Sequence, residues 1–249
     1  MKSKNNLEAL ENYISGSQFT DSLKVDLSSP QLDIKRNDLL LQLCKGKRVI
    51  HLGFTDHLPL IEQRIAQGCW LHGLLDNICS ECYGIDIDKE AVSYVQDKLG
   101  YKNTCCANIL EEDVLKSKSG EWDYIVLGEI LEHVNDPSHF ISTIRKKYAG
   151  KIKKIIITVP NAICTNVIRN IRNKEEVINS DHRYWFSPYT ITKILYVAGF
   201  KNSRILYANR CSLGFIRLVF RKIRLFIGKP SFYPATYFAT LVAIAELSE

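Results

Sequence analysis

The stretch Gly128-Glu129-Ile130-Leu131-Glu132-His133-Val134 places two carboxylates and an imidazole close together. On a helical turn, positions i, i+3 and i+4 share a face, so Glu129, Glu132 and His133 could converge on a divalent cation. Such residues also occur without a metal, and none is assigned here. Cys79-x-x-Cys82 with Cys105-Cys106 invites a zinc reading. The second pair lacks a two-residue spacer, however, and both abut buried-type strands, where free cysteine acts as a small core hydrophobe. A second group of candidates lies earlier, in His51-Leu52-Gly53-Phe54-Thr55-Asp56-His57. Its glycine permits a tight turn and close approach of backbone to a ligand. Further on, Gly84-Ile85-Asp86-Ile87-Asp88 ends a strand in acids, and an acid at that place suits a bidentate bond to ribose hydroxyls. Asp88 suits the cap of the following helix, which leaves Asp86 for the ligand. Asn108, in Cys105-Cys106-Ala107-Asn108-Ile109, offers an amide that donates and accepts toward a purine edge.

The elements that must hold these residues alternate. Leu7, Leu10 and Ile14 predict helix within residues 1–46, followed by a break at Ser28–Pro30 and a second helix over Ile34–Cys44. Arg48–Leu52, Cys82–Ile87, Tyr124–Leu127 and Ile155–Val159 read as strands that are apolar throughout. Leu58–Ile65, Lys89–Leu99 and Pro137–Tyr148 carry helical periodicity between them. Strands without alternation, separated by helices, imply a parallel sheet covered on both faces. After the helix Pro188–Ala198 the pattern changes: Ser203–Tyr207 and Thr240–Ala245 are strands with no compact helical crossover between them. They predict an antiparallel pair at one sheet edge. The expected organisation is an N-terminal helical cap over 1–46, then one α/β domain over 47–249 with a basic lid or insertion at about 209–235.

The 249 residues are 46% hydrophobic and 24% charged, enough for a buried core and incompatible with global disorder. No apolar run reaches the roughly 18 to 20 residues of a membrane-spanning helix. The amino-terminal residues lack the apolar core of a secretory signal. Eight scattered cysteines fit reduced thiols in the cytoplasm. Net charge is +6, and its distribution is uneven: ten Lys/Arg and no Asp/Glu lie between His182 and Ala245. That imbalance suits an anionic partner, either a membrane surface or a phosphorylated substrate, with nucleic acid a weaker expectation. Within it, Arg210, Arg217, Arg221 and Arg224 form one stripe if the segment is helical, with Phe215, Val219 and Phe226 opposite. A lid helix with solvated arginines has the same pattern.

Taken in order, Val49–Gly53, Gly84–Asp88, Trp122–Pro137 with its Gly-Glu-Ile-Leu-Glu-His core, and Asp181–Phe200 resemble the class I S-adenosylmethionine-dependent methyltransferase family. The branch they resemble includes quinone-ring and small-molecule O-methyltransferases. The resemblance runs from about Lys47 to Phe200 and implies a doubly wound, mostly parallel seven-stranded sheet with an antiparallel last strand. It also implies S-adenosylmethionine as cofactor. Gly53 would then approach the methionyl portion, Asp86 with Ile87 would hold the ribose side, and Asn108 with Ile109 would read the adenine. Gly128 and Glu129 would lie beside the amino-acid end, where Asp56 could hold the α-ammonium group. His133 is the leading candidate base and His182 the second, for O-methylation of a small molecule or a glycan or lipid-linked precursor. Some relatives use the Glu-x-x-Glu-His pattern to hold a metal. One departure stands out: the family's first loop reads Gly-x-Gly-x-Gly, and here Thr55 and His57 replace the later glycines. A nicotinamide-dependent oxidoreductase would share the sheet, but Gly-x-Gly-x-x-Gly is absent. A degenerate binding protein of the same fold is the other alternative, and only the depleted loop supports it.

Overall fold

The computed structural model describes residues 10–28, 33–200, 202–211 and 233–247. Two helices come first, α1 (Glu11–Ser15) and α2 (Arg36–Cys44). Then follow β1 (Arg48–Leu52), α3 (Leu58–Ala66), α4 (Leu71–Ile78), β2 (Glu81–Asp86), α5 (Lys89–Asp97) and β3 (Thr104–Cys106). The second half runs β4 (Trp122–Gly128), α6 (Pro137–Tyr148), β5 (Ile152–Pro160), α7 (Thr165–Arg172), α8 (Pro188–Val197), β6 (Arg204–Arg210) and β7 (Phe238–Glu246). The strands form one seven-stranded sheet in the order β3-β2-β1-β4-β5-β7-β6. β1 to β5 are mutually parallel, and β7 runs antiparallel to both β5 and β6.

The continuous apolar strands follow from burial on both sides. Ile50, Leu52, Ile125, Leu127, Ile155 and Ile157 face the helices α6 and α8, packing with Ile141, Ile144, Ile191 and Leu195. The residues between them, Val49, Val126 and Ile156, face the other way onto Leu40 and Cys44 of α2 and Leu71 and Leu75 of α4. A period of two on strands covered on both faces leaves no position for a polar side chain. His51, Thr104, Thr158 and Thr240 are buried polar exceptions, and the Thr158 hydroxyl accepts from the Glu129 amide at 3.1 Å.

Several expected bounds shift for identifiable reasons. α1 is short because Gly16 takes φ +81 and stops it, and no helix is described again until Arg36. The expected helix Ile34–Cys44 begins two residues later, where the Arg36 amide donates to the Asn209 side chain. β7 begins at Phe238, after a 3₁₀ turn over Ala235–Tyr237. The helices α4 and α7 and the short strand β3 were not expected. Gly73 within α4 is a poor helix former that packing overrides, since Leu71, Gly73 and Leu75 are buried, and the asparagines and β-branched residues of α7 give a weak helical signal. Arg210 is not part of a helical stripe: it ends β6 and pairs with Asp33 at 3.1 Å. Arg217, Arg221 and Arg224 lie outside the described residues, as does most of the expected lid. Among the described residues no helix is long and apolar enough to cross a membrane.

Phe54 follows β1 and lies almost fully buried against β2. A Cβ on Gly84 would stand 2.8 Å from the Phe54 ring and 2.8 Å from Thr104 Cγ2. Overfilling such a contact costs about 1–3 kcal/mol. Gly84→Ala is therefore expected to lower unfolding free energy by that amount in urea denaturation. An unchanged midpoint would show that the first loop and β2 are not packed as described.

Candidate functional site

β1, β2, β4 and β5 end at one edge of the sheet, and strand order reverses between β1 and β4, where this class of sheet opens a crevice. Gly53 begins the loop after β1 at φ +69, and its amide donates to the Ile85 carbonyl at 2.8 Å. A Cβ there would lie 2.6 Å from Ile130 Cδ1, so both backbone and packing require glycine. Ile130 thus packs against one side of Gly53, whose backbone stays partly exposed.

Thr55, in place of a glycine, is buried and does specific work. Its hydroxyl donates to Asp86 Oδ2 at 2.7 Å, and its amide to the same oxygen at 3.2 Å. Asp86 Oδ1 accepts from the Asp88 amide at 3.1 Å, while Asp88 caps α5 through the Ala91 amide at 3.0 Å. The carboxylate that the sequence assigns to ribose is therefore aimed by the first loop, and Oδ1 keeps acceptor capacity for a hydroxyl. Ile87 stands 74% exposed next to it, an apolar surface. An adenosine fits this pair: an oriented acceptor for ribose and an uncovered aliphatic face for a base.

The other cofactor candidates are placed as follows. Asp56 is left-handed at φ +66 and ion-pairs with Arg64 of α3. Asn108 uses its side-chain oxygen to accept from the Leu110 amide at 3.1 Å. The Ile109 side chain is buried, and its carbonyl accepts from Lys147. Gly128 ends β4 with room for a Cβ at ordinary contact distances. Glu129 takes φ +60 and pairs with Arg36 of α2 at 2.7 Å.

That conformation breaks the expected helical turn. Residues 131–133 form a turn rather than a helix, so Glu129 points to Arg36 while Glu132 and His133 continue inward. The partner that joins them is His182, 49 positions further along. Atoms of Glu132, His133 and His182 that could ligate a metal lie within 4.8 Å of one another. The two imidazole rings meet edge to face at 4.7 Å between centroids, and His182 Nε2 lies 4.0 Å from Glu132 Oε1. Glu132 is fully buried, and neither carboxyl oxygen has a hydrogen-bond partner. Burial pushes its pKa up to about 8, with Glu129 adding to the rise and Arg36 opposing it. Burial and the neighbouring His133 lower the pKa of His182, which favours a neutral ring able to accept a proton. An orphaned buried carboxyl beside two imidazoles is a donor set that fits a divalent cation.

The segment after Asp181 holds this cluster closed. The Arg183 amide donates to the Glu132 carbonyl at 2.8 Å, its guanidinium donates to the His133 carbonyl, and the Tyr184 hydroxyl donates to Asn135 O at 2.6 Å. The sequence missed Arg36, because nothing local relates it to a glutamate 93 positions away. It also missed the buried pair His51 and His72, whose Nδ1 atoms lie 3.3 Å apart. Burial lowers both their pKa values, that of His72 to about 3. The polar His51, inside an otherwise apolar strand, was the available signal. Cys82 lies near the start of β2 while Cys105 pairs with Ile85 near its end, so the four cysteines of the zinc reading do not converge.

No curated protein matches the chain. Among solved structures, a possible histamine N-methyltransferase from Thermotoga maritima is similar over 84% of this chain and 86% of its own, at 15% identity and TM-score 0.53. A Bacillus halodurans putative methyltransferase aligns over 86% of this chain and 99% of its own, at 11% identity and TM-score 0.51. A small RNA methyltransferase aligns with 92% of this chain but only 27% of its own, at 15% identity and TM-score 0.53. These likenesses are of fold. A family profile described as a methyltransferase domain matches residues 65–205, over half of the chain, from within α3 to the start of β6. The divergent loop after β1 lies outside that match. With this match, the sheet order and the reversed last strand, the chain belongs to the class I S-adenosylmethionine-dependent methyltransferase family.

Proposed function

We propose that the chain methylates an oxygen of a small-molecule, glycan or lipid-linked acceptor, with S-adenosylmethionine as the methyl source. The observation that carries this reading is the convergence of Glu132, His133 and His182 after β4, on the sheet edge where Thr55 also aims the Asp86 carboxylate. The bound cofactor supplies an electrophilic methyl on a sulfonium, so the chain must bind, align and deprotonate. Asp86, aimed by Thr55, holds the ribose hydroxyls. Ile87 and the turn at Asn108 and Ile109 border the base, while Gly53, Asp56, Gly128 and Glu129 surround the amino-acid end. His133 takes the acceptor proton at a ring nitrogen, with His182 against it as the second imidazole. The orphaned Glu132 carboxyl favours a second version of the same step. There a divalent cation held by Glu132, His133 and His182 would lower the pKa of the acceptor hydroxyl. The basic stretch from His182 to Ala245 supports peripheral contact with an anionic membrane or with a phosphorylated part of the acceptor, in a cytoplasmic setting.

Calorimetric titration with S-adenosylmethionine, S-adenosylhomocysteine and NAD tests the reading at its base. Both sulfur nucleosides are expected to bind, and tight binding of NAD alone would overturn it. Binding with no turnover on any acceptor would leave a degenerate binding protein. Asp86→Ala is expected to weaken S-adenosylhomocysteine binding by about 1–3 kcal/mol, and Thr55→Val by less, since it leaves the carboxylate but removes a donor. Unchanged affinity in Asp86→Ala would remove Asp86 from the ribose.

The cation version has its own test. Raising the Glu132 pKa from the ordinary 4.5 to about 8 means that the folded chain keeps a proton the unfolded chain releases. With a chelator present, stability is therefore full below pH 4.5 and falls as pH rises toward about 8. Glu132→Gln is expected to flatten that slope in thermal melts. Manganese at pH 7.5 is expected to raise the melting temperature of the wild type but not of Glu132→Gln; equal shifts in both would eliminate the cation.

A further inference from the structure

α7 departs from the other helices: none of its residues is buried. Its sequence nevertheless carries an apolar face, because Val167 and Ile171 are four positions apart and lie on one side. Both line a cavity of about 320 Å³ together with Val177 and Trp185. Ile171 and Val177 are 63% and 62% exposed. An apolar face left out of the core and shaped into a concave wall is the signature of a small-molecule pocket. Its polar lining is one neutral amide, Asn170, and two acids. Glu175 and Glu176 contribute carboxylates, and Glu176 accepts from the Trp185 indole N–H at 3.1 Å. Among the described residues, no lysine or arginine lines the cavity.

The pocket is tied mechanically to the imidazole pair. Trp185 stands on the same short segment as His182 and Arg183, and Arg183 fixes that segment to the Glu132 and His133 carbonyls. The next residue, Phe186, accepts from the Ala162 amide at 2.8 Å, just beyond β5. A molecule seated against Trp185 is thereby held next to the element that carries His182.

The geometry points to this cavity as the seat for the apolar, ring-bearing body of the methyl acceptor, and to an acceptor that carries no negative charge on that body. The inference rests on the proposed methyl transfer for the word acceptor, but the pocket and its charge preference stand on their own residues. The aliphatic side chains and the indole supply non-polar contact. The two carboxylates repel an anion and accommodate a neutral or cationic group, the latter also drawn to the indole face.

Three probes with one ring system and different charges test it on the full chain: 2-naphthol, 2-naphthylmethylammonium and 2-naphthoate, titrated by calorimetry in parallel with S-adenosylhomocysteine. The neutral and cationic probes are expected to bind, and the anion about tenfold or more weaker. Ile171→Asn with Val177→Asn, both at exposed positions, is expected to weaken the first two about tenfold while leaving S-adenosylhomocysteine affinity unchanged. Glu175→Gln with Glu176→Gln is expected to bring 2-naphthoate within about threefold of 2-naphthol. Equal binding of all three probes, binding of none, or indifference to the Ile171 and Val177 changes would overturn the pocket. Loss of S-adenosylhomocysteine binding alone would instead overturn the proposed methyl transfer and leave the pocket standing.

Discussion

The chain leaves β1 toward β2 on one side and returns beside β1 as β4 on the other. Right-handed crossovers place the intervening helices on opposite faces of the sheet, so the loops that follow β1 and β4 must diverge. The gap between them cannot be closed by backbone. Every candidate group lies at this edge: Asp86 at the end of β2, Gly53 and Thr55 beyond β1, Glu132 and His133 beyond β4, and the Arg183 segment beyond β5. A burial pattern that covers both faces of the sheet is what makes this edge the available place for polar chemistry.

The loop after β1 shows how one departure is compensated by another. A glycine-rich turn would leave the acid at the end of β2 free. Here Thr55 takes a glycine position and directs both its hydroxyl and its amide onto Asp86. Phe54 fills the space over Gly84, which must stay bare to receive it. Asp56 adopts a left-handed conformation and pairs with Arg64. The loop has exchanged backbone freedom for fixed side-chain contacts, with the acid held in a defined direction.

Around Glu132 the balance is electrostatic. A carboxyl buried without a hydrogen-bond donor favours its neutral form, and Glu129 would worsen the repulsion if Arg36 did not neutralise it at 2.7 Å. Arg36 can do so because Asn209 anchors the start of α2 to β6, with the Arg36 amide donating to its side chain and the Asn209 amide to the Ile34 carbonyl. The N-terminal helix thus takes part in the electrostatics of a site built by the second half of the chain. The Arg183 segment closes the other side and links the imidazoles to the uncovered face of α7.

The sequence by itself determined the layered architecture. Apolar strands such as Ile155–Val159, a helix bounded by the Asp88 cap, and a late strand pair without a helical crossover are all local patterns, because burial and capping act within a few residues. It also separated the cap Asp88 from Asp86. Only the tertiary structure decided which polar groups meet. It turned Glu129 away to Arg36, brought His182 to Glu132 and His133, set Thr55 on Asp86, and left α7 with a bare apolar side. The physical reason is range. Periodicity is written in near neighbours, whereas ion pairs, imidazole contacts and cavities join residues tens of positions apart, and their partners exist only once the sheet has ordered its strands.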